Sequence, residues 1–437
     1  MHAEHLSKTF DYSTDRAFAE RMDAADVLRP FRAQFCIPQD DQGNDVIYFA
    51  GNSLGLLPKT VKPIVERELE DWARLAVDAH FDGREPWYGY HEQFRESAAR
   101  IVGAQPNEVV LMNSLTVNLH LMMVSFYRPS SDRFKIITDW PSFPSDIYAV
   151  DSQIRHHGFD PEQAFIKVRP RDGEHLIDMD DFVSQIELHG PQAALVMISG
   201  VNYFTGQFYD LKRITDAAHR AGCLIGIDLA HAAGNVPLAL HDWDVDFAVW
   251  CNYKYLNSGP GTVGGTFVHE RHAKNVELNR FAGWWGNDPK NRFMMHLQPE
   301  FLPVPTADGW QLSNPPILAM AAIRGSYDLF DQTSIEALRE KSQRLTGYLE
   351  FLIDQQGKDR FEVITPRDAE RRGCQLSILA KRDPKALFAS LHKAHAVGDF
   401  REPNVIRVAP VPMYNSFVDV WRFAQVLANA GGGDLHG

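Results

Sequence analysis

The 437-residue sequence lacks several features that would assign a chain to a class directly. No two of its four cysteines form a CxxC pair, so the chain has no paired-cysteine metal or redox motif. We therefore expect a reduced intracellular protein with mostly buried thiols. No apolar run approaches the roughly 18 residues that a membrane span needs, and we expect no membrane association. The cysteines are Cys36, Cys223, Cys251 and Cys374.

The sequence also lacks an excess of positive charge. Its 44 Lys and Arg residues against 57 Asp and Glu give a net charge of −13. The densest basic stretch, residues 367–372, is interrupted by Asp368 and Glu370. An acidic chain without a basic patch binds phosphate backbones poorly, so we expect no nucleic-acid partner. The first residues, Met-His-Ala-Glu-His, have neither the basic nor the apolar region of a secretory leader, which favours a cytoplasmic protein.

Seven short apolar runs, separated by stretches that mostly show helical patterns, are the main feature that is present. Near-continuous apolar strands that alternate with helices indicate a parallel sheet buried on both faces. The sequence therefore predicts an α/β fold. The runs are 109–112, 134–138, 164–168, 193–199, 223–228, 247–252 and 262–269.

The apolar pattern divides the chain into three parts. Residues 61–319 are predicted to form a large domain around the sheet, and residues 320–437 a smaller C-terminal α/β domain. Residues 1–60 form an N-terminal segment that we expect to pack with the small domain. In the small domain, Thr333 and Glu336 form a capping-box pattern before a long amphipathic helix. Short strands at 361–364, 376–379 and 405–408 follow, and a last helix is predicted to end at the glycines 431–433.

One helix of the large domain is predicted over residues 62–79. Val65, Leu69, Trp72 and Ala76 recur at helical spacing, which predicts that they form its buried face.

Polar residues that follow the apolar runs are the first candidates for chemistry, because open parallel sheets bind ligands beyond the carboxyl ends of their strands. Asp228 ends the run 223–228, and a carboxylate there needs a partner. It is either a helix N-cap or an acid that holds a heterocyclic cation. Lys254 follows the run 247–252. It is either a surface lysine or a lysine that forms a Schiff base, since burial lowers a lysine pKa readily.

Asp228 and Lys254 lie one βαβ step apart, which can place them at the ends of adjacent strands. Pyridoxal phosphate (PLP) needs this pair, because a lysine binds its aldehyde and a carboxylate keeps its pyridine nitrogen protonated. The segment 113–116, Asn-Ser-Leu-Thr, is either a phosphate-binding helix start or an ordinary cap. Phe143, in the segment 143–146, is either an aromatic ring that stacks on the pyridine or part of a turn.

A glycine-rich segment has the spacing of a dinucleotide-binding motif. Residues 259–264, Gly-Pro-Gly-Thr-Val-Gly, match GxGxxG, but this motif has meaning only between a strand and a helix. The residues that follow have the pattern of a strand, so we predict a loop near Lys254 and no dinucleotide site. The chain has no HExxH motif, and the adjacent His156 and His157 cannot share a metal from one regular element. We therefore expect no catalytic metal.

Eight motifs spread over nearly the whole chain are highly specific in combination. They are YFAGNSLGLLP at 48–58, LTVNLH at 115–120, FPSD at 143–146, DLAH at 228–231, NYKYLN at 252–257, GWW at 283–285, SNPP at 313–316 and RVAPVP at 407–412. With them the chain resembles the kynureninase family, which consists of PLP-dependent hydrolases.

The resemblance implies a fold and an activity. The fold is that of PLP-dependent transferases (aspartate aminotransferase fold type I), with a mostly parallel seven-stranded sheet in the large domain. The activity is hydrolytic cleavage of the Cβ–Cγ bond of L-kynurenine or 3-hydroxy-L-kynurenine. The products are L-alanine and anthranilate or 3-hydroxyanthranilate, in tryptophan degradation or NAD biosynthesis. A homodimer is also implied.

The resemblance also implies roles for single residues. Lys254 forms the Schiff base, Asp228 pairs with the pyridine nitrogen, and Tyr253 contacts the cofactor. From the chemistry of the reaction we further expect Lys254 to act as the base at Cα and Tyr253 to protonate the alanine fragment. Arg407 binds the substrate α-carboxylate. Ser53, His80 and Asn314 contact the aromatic part of the substrate, as in family members that favour 3-hydroxykynurenine. The further cofactor contacts are Leu115, Thr116, Phe143, Pro144, Ser145, Asp146, Ser199, His231, Trp284 and Asn314, with Trp284 and Asn314 placed across a dimer interface.

Two alternatives stay open at the level of sequence. The first is another fold-type-I PLP enzyme, either a class V aminotransferase or a cysteine desulfurase. A desulfurase needs a nucleophilic cysteine on a mobile loop, whereas Cys374 stands before a predicted strand. The second is a non-catalytic protein of the same fold, which has no need of Lys254, Asp228 and Arg407 together.

Overall fold

A computed structural model describes residues 11–430, in which helices alternate with strands over most of the chain. The strands are β1 Phe35–Cys36, β2 Ile47–Tyr48, β3 Leu57–Pro58, β4 Val109–Met112, β5 Lys135–Asp139, β6 Phe165–Val168, β7 Ala193–Ser199, β8 Leu224–Asp228, β9 Phe247–Cys251, β10 Gly264–Val268, β11 Phe361–Val363, β12 Leu376–Ala380, β13 Ala396–Val397, β14 Asp399–Arg401 and β15 Val405–Val408. The α-helices are α1 Arg16–Ala24, α2 Val61–Leu75, α3 Ala79–Asp82, α4 Arg95–Val102, α5 Leu115–Phe126, α6 Pro144–His156, α7 Pro161–Ala164, α8 Met179–His189, α9 Leu211–Arg220, α10 Glu270–Ala273, α11 Ile317–Phe330, α12 Ile335–Asp354, α13 Pro384–Lys393 and α14 Phe417–Ala430.

A seven-stranded sheet with the order β4-β10-β9-β8-β7-β5-β6 forms the centre of the large domain. Strand β10 is antiparallel to both of its neighbours, and the other adjacent strands are parallel. Strands β4, β9 and β10 are buried at every position, as expected for a sheet covered on both faces. Each predicted apolar run overlaps one of these strands, with bounds that agree to within two residues. The predicted fold class is confirmed.

The two ends of the parallel strands define two edges of this sheet. At the carboxyl edge, β5, β7 and β8 end at Asp139, Ser199 and Asp228, and β9 runs on towards Lys254. At the amino edge, Asp246 stands directly before β9 and Glu108 directly before β4. Both edges therefore carry buried carboxylates at the ends of apolar strands.

A second sheet, with the order β11-β12-β15-β14, is antiparallel throughout and lies in the C-terminal part. Its apolar core includes Ala19, Ile47 and Phe49 from the N-terminal part of the chain. Strand β13 also pairs in parallel with β2. These contacts join the first residues of the described chain to the C-terminal sheet. The bounds 1–60, 61–319 and 320–437 stay predictions.

The predicted buried face of α2 is wrong. Leu69 is 43% exposed and Trp72 is 57% exposed, whereas Glu68 and Asp71 are buried. Glu68 is buried because Trp87 Nε1 and the Tyr90 hydroxyl donate to its carboxylate at 2.8 and 3.0 Å. Asp71 is buried because its carboxylate pairs with arginines (Arg74 and Arg84) at 3.1 and 3.0 Å. Buried acids with local partners therefore displace the apolar stripe to the surface.

The predicted cap of α12 is also wrong, by one position. Ser334 is the N-cap, and its hydroxyl accepts from the backbone amide of Ala337 at 3.2 Å. The predicted end of the last helix at residues 431–433 lies outside the described residues. Within residues 11–430, no helix combines the length and the apolar character that a membrane crossing requires.

Candidate active site

A pocket of about 490 Å³ opens at the carboxyl edge of the large sheet. Its walls come from the segments that follow β4, β5, β7, β8 and β9, so the five strands converge on one site. The structure thereby brings together most of the predicted site residues. The lining residues are Leu115, Thr116, Phe143, Ser145, Asp146, Ser199, Val201, Tyr203, Asp228, Ala230, His231, Tyr253 and Lys254.

The ammonium group of Lys254 lies inside this pocket. Its Nζ is 3.3 Å from Nε2 of His231 and 5.7 Å from the centre of the Phe143 ring. Burial, followed by the positive charge of Lys254, lowers the pKa of His231 well below its ordinary value. The imidazole is therefore neutral and accepts from the ammonium group. Lys254 is thus a pocket residue, and the reading as a surface lysine is wrong.

Two neighbouring carboxyl groups, those of Asp146 and Asp228, also line the pocket, and both are nearly fully buried. Burial, followed by repulsion from Asp228, raises the pKa of Asp146 well above its ordinary value. Oδ1 of Asp146 has no hydrogen-bond partner. Two adjacent buried acids, one of which has an oxygen without a partner, are suited to bind a cationic ring nitrogen.

Asp228 does not cap an α-helix. Strand β8 ends at Asp228 and turns follow over residues 229–234, where Ala230 donates its backbone amide to Oδ1 of Asp228 at 2.6 Å. This hydrogen bond holds the carboxylate in the pocket lining.

The starts of α5 and α6 form the third side of the pocket. Thr116 Oγ1 and Ser145 Oγ, one from each helix, are 3.1 Å apart. The N-cap residue Ser114 makes no side-chain cap hydrogen bond, so the first amides of α5 remain available to a ligand. The 12-residue helix α5 also directs the positive end of its dipole at this point. Hydroxyls and free amides in this arrangement are suited to bind a phosphate group.

The loop that carries Tyr253 and Lys254 is held by the N-terminal part of the chain. Gly55 donates its backbone amide to the Tyr253 carbonyl at 2.8 Å. A Cβ atom at Gly55 would lie 2.4 Å from the Lys254 carbonyl oxygen, so only glycine fits this approach. Burial, followed by the neighbouring Cys251, raises the pKa of Tyr253, which keeps the phenol protonated.

Arg407 lies beside the pocket and is almost completely buried. It pairs with Asp399 across the β14–β15 register, and it donates to the Tyr203 carbonyl at 2.6 Å. Its Nε has no partner, and burial lowers its pKa. The Ser53 hydroxyl donates to the same Asp399 carboxylate at 2.7 Å. The predicted substrate residues Ser53 and Arg407 therefore belong to one cluster, joined by Asp399.

Besides Ser53 and Arg407, four predicted site residues do not line the pocket as the described part of this chain forms it. Pro144 is the first residue of α6, next to the lining residues. Trp284 packs its indole against Trp285, with ring centres 4.8 Å apart. His80 contacts the Val77 carbonyl at 2.9 Å, and Asn314 is exposed.

Sequence reasoning missed Tyr203 and Asp139. The Tyr203 ring meets Phe143 edge to face, with centres 5.4 Å apart, and lines the pocket. Asp139 is fully buried at the end of β5. The rule that found Asp228, a polar residue directly after an apolar run, also applies to Asp139.

The GxGxxG segment leads into a strand, as predicted, since Gly264 is the first residue of β10. Gly259 and Gly261 have φ values of +84° and +80°, and a Cβ atom at either would meet open space. These glycines are therefore required by the turn and not by a close approach to a ligand.

Comparison with known proteins gives relatives over nearly the whole chain. The family model described as the kynureninase C-terminal domain matches residues 338–427. A kynureninase of Myxococcus xanthus is 54% identical over 422 residues, which are 97% of this chain and 99% of that relative. A kynureninase of Koribacter versatilis is 53% identical and covers 95% of this chain, with 97% of its own length matched.

Solved structures share the fold at low sequence identity. A C-DES mutant with glycine covalently linked to its PLP cofactor has a TM-score of 0.75 and 15% identity. The match covers 91% of this chain and 98% of that structure. This likeness supports the fold type that the strand order already indicates.

Proposed function

The chain belongs to the kynureninase family, and from this premise we propose that the pocket around Lys254 cleaves the Cβ–Cγ bond of L-kynurenine or 3-hydroxy-L-kynurenine. The chain is an enzyme that acts on a small-molecule substrate, and its cofactor is PLP. The observation that carries the proposal is that Lys254 and the neighbouring acids Asp146 and Asp228 line one pocket.

The pocket residues fit PLP at three points. Lys254 would hold the aldehyde carbon, and the buried pair Asp146–Asp228 would hold the cationic ring nitrogen. The unpartnered Oδ1 of Asp146 is the atom that such a ring would satisfy. The start of α5, with the hydroxyls of Thr116 and Ser145, would hold the phosphate.

The reaction consumes one water and needs proton transfers at both Cα and Cβ. PLP, when bound, accepts the electron pairs released at the substrate carbons. Lys254 removes the proton from Cα and returns a proton to it after the cleavage, and water adds to the γ-carbonyl carbon. The Cβ–Cγ bond breaks, and its electron pair stays on Cβ. The phenol of Tyr253, kept protonated by its raised pKa, gives Cβ the proton that forms the methyl group of L-alanine.

Arg407 would bind the α-carboxylate of the substrate. Its unpartnered Nε is the donor available without breaking a present bond. A second, parallel bond would require Asp399 to yield its place to the substrate. The binding of an amino acid therefore competes with the Arg407–Asp399 pair.

The test of this function is product analysis. PLP-loaded protein is incubated with L-kynurenine, and L-alanine and anthranilate are quantified beside Lys254→Ala. We expect equal amounts of both products from the wild type and none from the variant. Cofactor-dependent release of sulfur from cysteine, without alanine from kynurenine, would instead indicate a desulfurase. That alternative is disfavoured because burial raises the pKa of Cys374 to about 12, which leaves no nucleophilic thiolate at neutral pH.

The preferred substrate in this proposal is 3-hydroxykynurenine, supported by the polar side chains of Ser53, His80 and Asn314. A site built to hydrogen-bond a hydroxyl discriminates against the analogue that lacks it. The measurement is kcat/KM for both substrates. A higher value for the hydroxylated substrate is expected, and equal values would contradict the assignment.

We place the active unit in a homodimer. Trp284, His80 and Asn314 lie outside the pocket lining of their own chain, and apolar side chains are exposed nearby on α2, α3 and the segment 281–302 (Leu69, Trp72, Phe81, Phe293 and Leu297). A second copy would cover them and receive Trp284 and Asn314. The test unfolds two inactive variants, Lys254→Ala and Trp284→Ala, refolds them as a mixture and measures the activity of the mixed dimers. Recovery of activity supports sites shared between subunits, and no recovery in proven mixed dimers contradicts it.

The cytoplasm is the location we propose for this enzyme. Cys223, Cys251 and Cys374 are buried free thiols, which suit a reducing compartment. Cell fractionation with an antibody to the chain tests the proposal.

A further inference from the structure

Asp139 is a buried carboxylate that the reaction described above does not use. It ends β5 at the carboxyl edge and is fully buried. Ser199 donates to it twice, through its backbone amide at 3.0 Å and through its hydroxyl at 2.6 Å. The side-chain amide of Asn202 donates at 3.1 Å and the Tyr209 hydroxyl at 3.3 Å. Donors converge on both oxygens, and these hydrogen bonds favour the ionised form against the burial that raises the pKa of Asp139.

The bond to Ser199 determines what that residue offers the pocket. Ser199 lines the pocket, and in the sheet it is paired with Asp228. A hydroxyl has one hydrogen and two lone pairs. Because the hydrogen is directed at Asp139, the oxygen of Ser199 faces the pocket only as an acceptor. A ligand group at this point must therefore be a donor, such as a phenol or a protonated nitrogen.

The bond to Asn202 extends the influence of Asp139 to two other walls. The Asn202 side chain also donates to the Pro141 carbonyl at 2.8 Å, beside the segment that leads to Phe143. Its Oδ1 accepts from the backbone amides of Phe204 and Thr205 at 3.0 Å each. Tyr203, between these residues, contacts the Phe143 ring and accepts from Arg407. One carboxylate thus connects Ser199, Phe143 and Tyr203 from behind the pocket.

We propose that Asp139 is a positioning residue for the cofactor pocket. Its carboxylate accepts the hydrogen of the Ser199 hydroxyl, so that the Ser199 oxygen can only accept a hydrogen bond from the bound PLP. It also accepts from Asn202 and thereby holds the turn that carries Tyr203. Asp139 acts through these residues and does not touch the ligand itself. The proposal rests on the proposed function for the identity of PLP, but not for the identity of the substrate.

The test replaces Asp139 by asparagine, which keeps the size and removes one acceptor. The Ser199 hydroxyl is then free to turn its hydrogen towards the pocket. We expect the dissociation constant of PLP, measured by equilibrium dialysis of the holoenzyme, to rise about tenfold or more. The visible absorption spectrum of the bound cofactor should shift as well. An unchanged dissociation constant and spectrum would overturn the proposal.

Asp246→Asn is the matched control. Asp246 is also a buried strand-end carboxylate with several donors, but it lies at the amino edge. It accepts from the Ile225 amide at 2.7 Å, from His272 at 2.6 Å and from Arg271 at 2.6 Å. Its loss should lower thermal stability and leave the PLP dissociation constant and spectrum unchanged. Equal PLP defects in both variants would show a general structural effect and contradict a positioning role.

A double-mutant cycle with Ser199→Ala tests whether Asp139 acts through Ser199. Ser199→Ala removes a surface hydroxyl of the pocket and no buried charge, so it should fold even if Asp139→Asn folds poorly. We expect Ser199→Ala to weaken PLP binding, and the double variant to bind PLP about as weakly as Asp139→Asn alone. Additive effects would overturn the proposal. A wild type that binds no PLP would instead refute the proposed function.

Discussion

The two edges of the large sheet use buried carboxylates for opposite purposes. At the amino edge, Asp246 has three basic side chains (His219, Arg271 and His272) within 3.0 Å. Glu108 accepts from two backbone amides and from His241, at 2.8 to 2.9 Å. At the carboxyl edge, three buried carboxylates (Asp139, Asp146 and Asp228) adjoin a pocket with one ammonium group, that of Lys254.

The pKa directions state the same contrast. The partners of Asp246, with His219 and His272 contributing most, outweigh its burial and hold its pKa below the ordinary value. Burial and repulsion from Asp228 raise the pKa of Asp146. The amino edge is therefore satisfied by the chain itself, and its charges stabilise the fold. At the carboxyl edge Asp139 is also satisfied by donors of the chain, whereas Asp146 keeps an oxygen without a partner, as expected for a site that binds a cationic ligand.

The largest effect is expected from Lys254→Ala, which removes the only ammonium group of the carboxyl-edge pocket. Turnover should fall by about a thousandfold or more, because no other lining residue can bind the aldehyde. The midpoint of thermal unfolding should stay close to that of the wild type. The checks are an alanine assay and calorimetry. Turnover that survives in this variant would move the chemistry away from the carboxyl edge.

The second largest effect is expected from Asp228→Asn, which should impair catalysis without lowering the stability of the fold. Loss of the anion that we propose beside the ring nitrogen is expected to lower kcat by on the order of a hundredfold. The cofactor-free chain should become no less stable, because the repulsion between Asp228 and Asp146 disappears. Steady-state kinetics and chemical unfolding of the same preparation measure both. A marked loss of stability with unchanged kcat would reverse the roles assigned to the edges.

Asp246→Asn should give the opposite result at the amino edge. Breaking this buried network leaves Arg271 and the histidines without their acceptor, and we expect a loss of ~3 kcal/mol in the free energy of unfolding. kcat for kynurenine cleavage should change less than twofold, on the order of assay scatter. Denaturant unfolding and kinetics are the measurements. A stability equal to that of the wild type would show that these ion pairs contribute nothing net.

The smallest effect is a pH dependence of stability from the amino edge. The pKa of Asp246 is lowered from 3.8, so its contribution is present above pH 3.8 and is lost as the pH falls towards the folded value. The pKa of His219 is raised from 6.5, chiefly by its hydrogen bond to Asp246. Its contribution is present below pH 6.5 and is lost as the pH rises through the raised value.

The amino edge should therefore stabilise most between these limits. In the variant His219→Gln, the fall of the unfolding temperature above pH 6.5 should become shallower than in the wild type. Calorimetry over the pH range measures this directly. If the unfolding temperature changed with pH in the same way in both proteins, His219 would not contribute to the pH dependence of stability.

Much of the carboxyl edge could be predicted from the sequence because of one rule. Polar residues directly after apolar runs meet at one edge of a parallel sheet, and this identified Asp228 and Lys254. The same rule applied to residue 139 would have added Asp139. The rule requires only that the ends of the strands be located, and the change from apolar to polar residues in the sequence locates them well.

Other parts depended on partners that are distant in sequence. The outward face of α2 follows from the partners of Glu68 and Asp71, which no helical periodicity shows. The pairing of Arg407 with Asp399 follows from the register of β14 and β15. The close approach of Gly55 to the Lys254 loop follows from packing of the N-terminal part of the chain. Long-range pairing is what the sequence pattern does not contain.

The central claim is that the cofactor is attached at the carboxyl edge through Lys254. The holoenzyme is treated with sodium borohydride, which makes the bond between lysine and cofactor permanent, and its peptides are mapped by mass spectrometry. We expect the pyridoxyl adduct on Lys254 and its absence from Lys254→Ala, with Asp246→Asn labelled like the wild type. An adduct on a different lysine, or a cofactor that is bound but never fixed by reduction, would contradict the account.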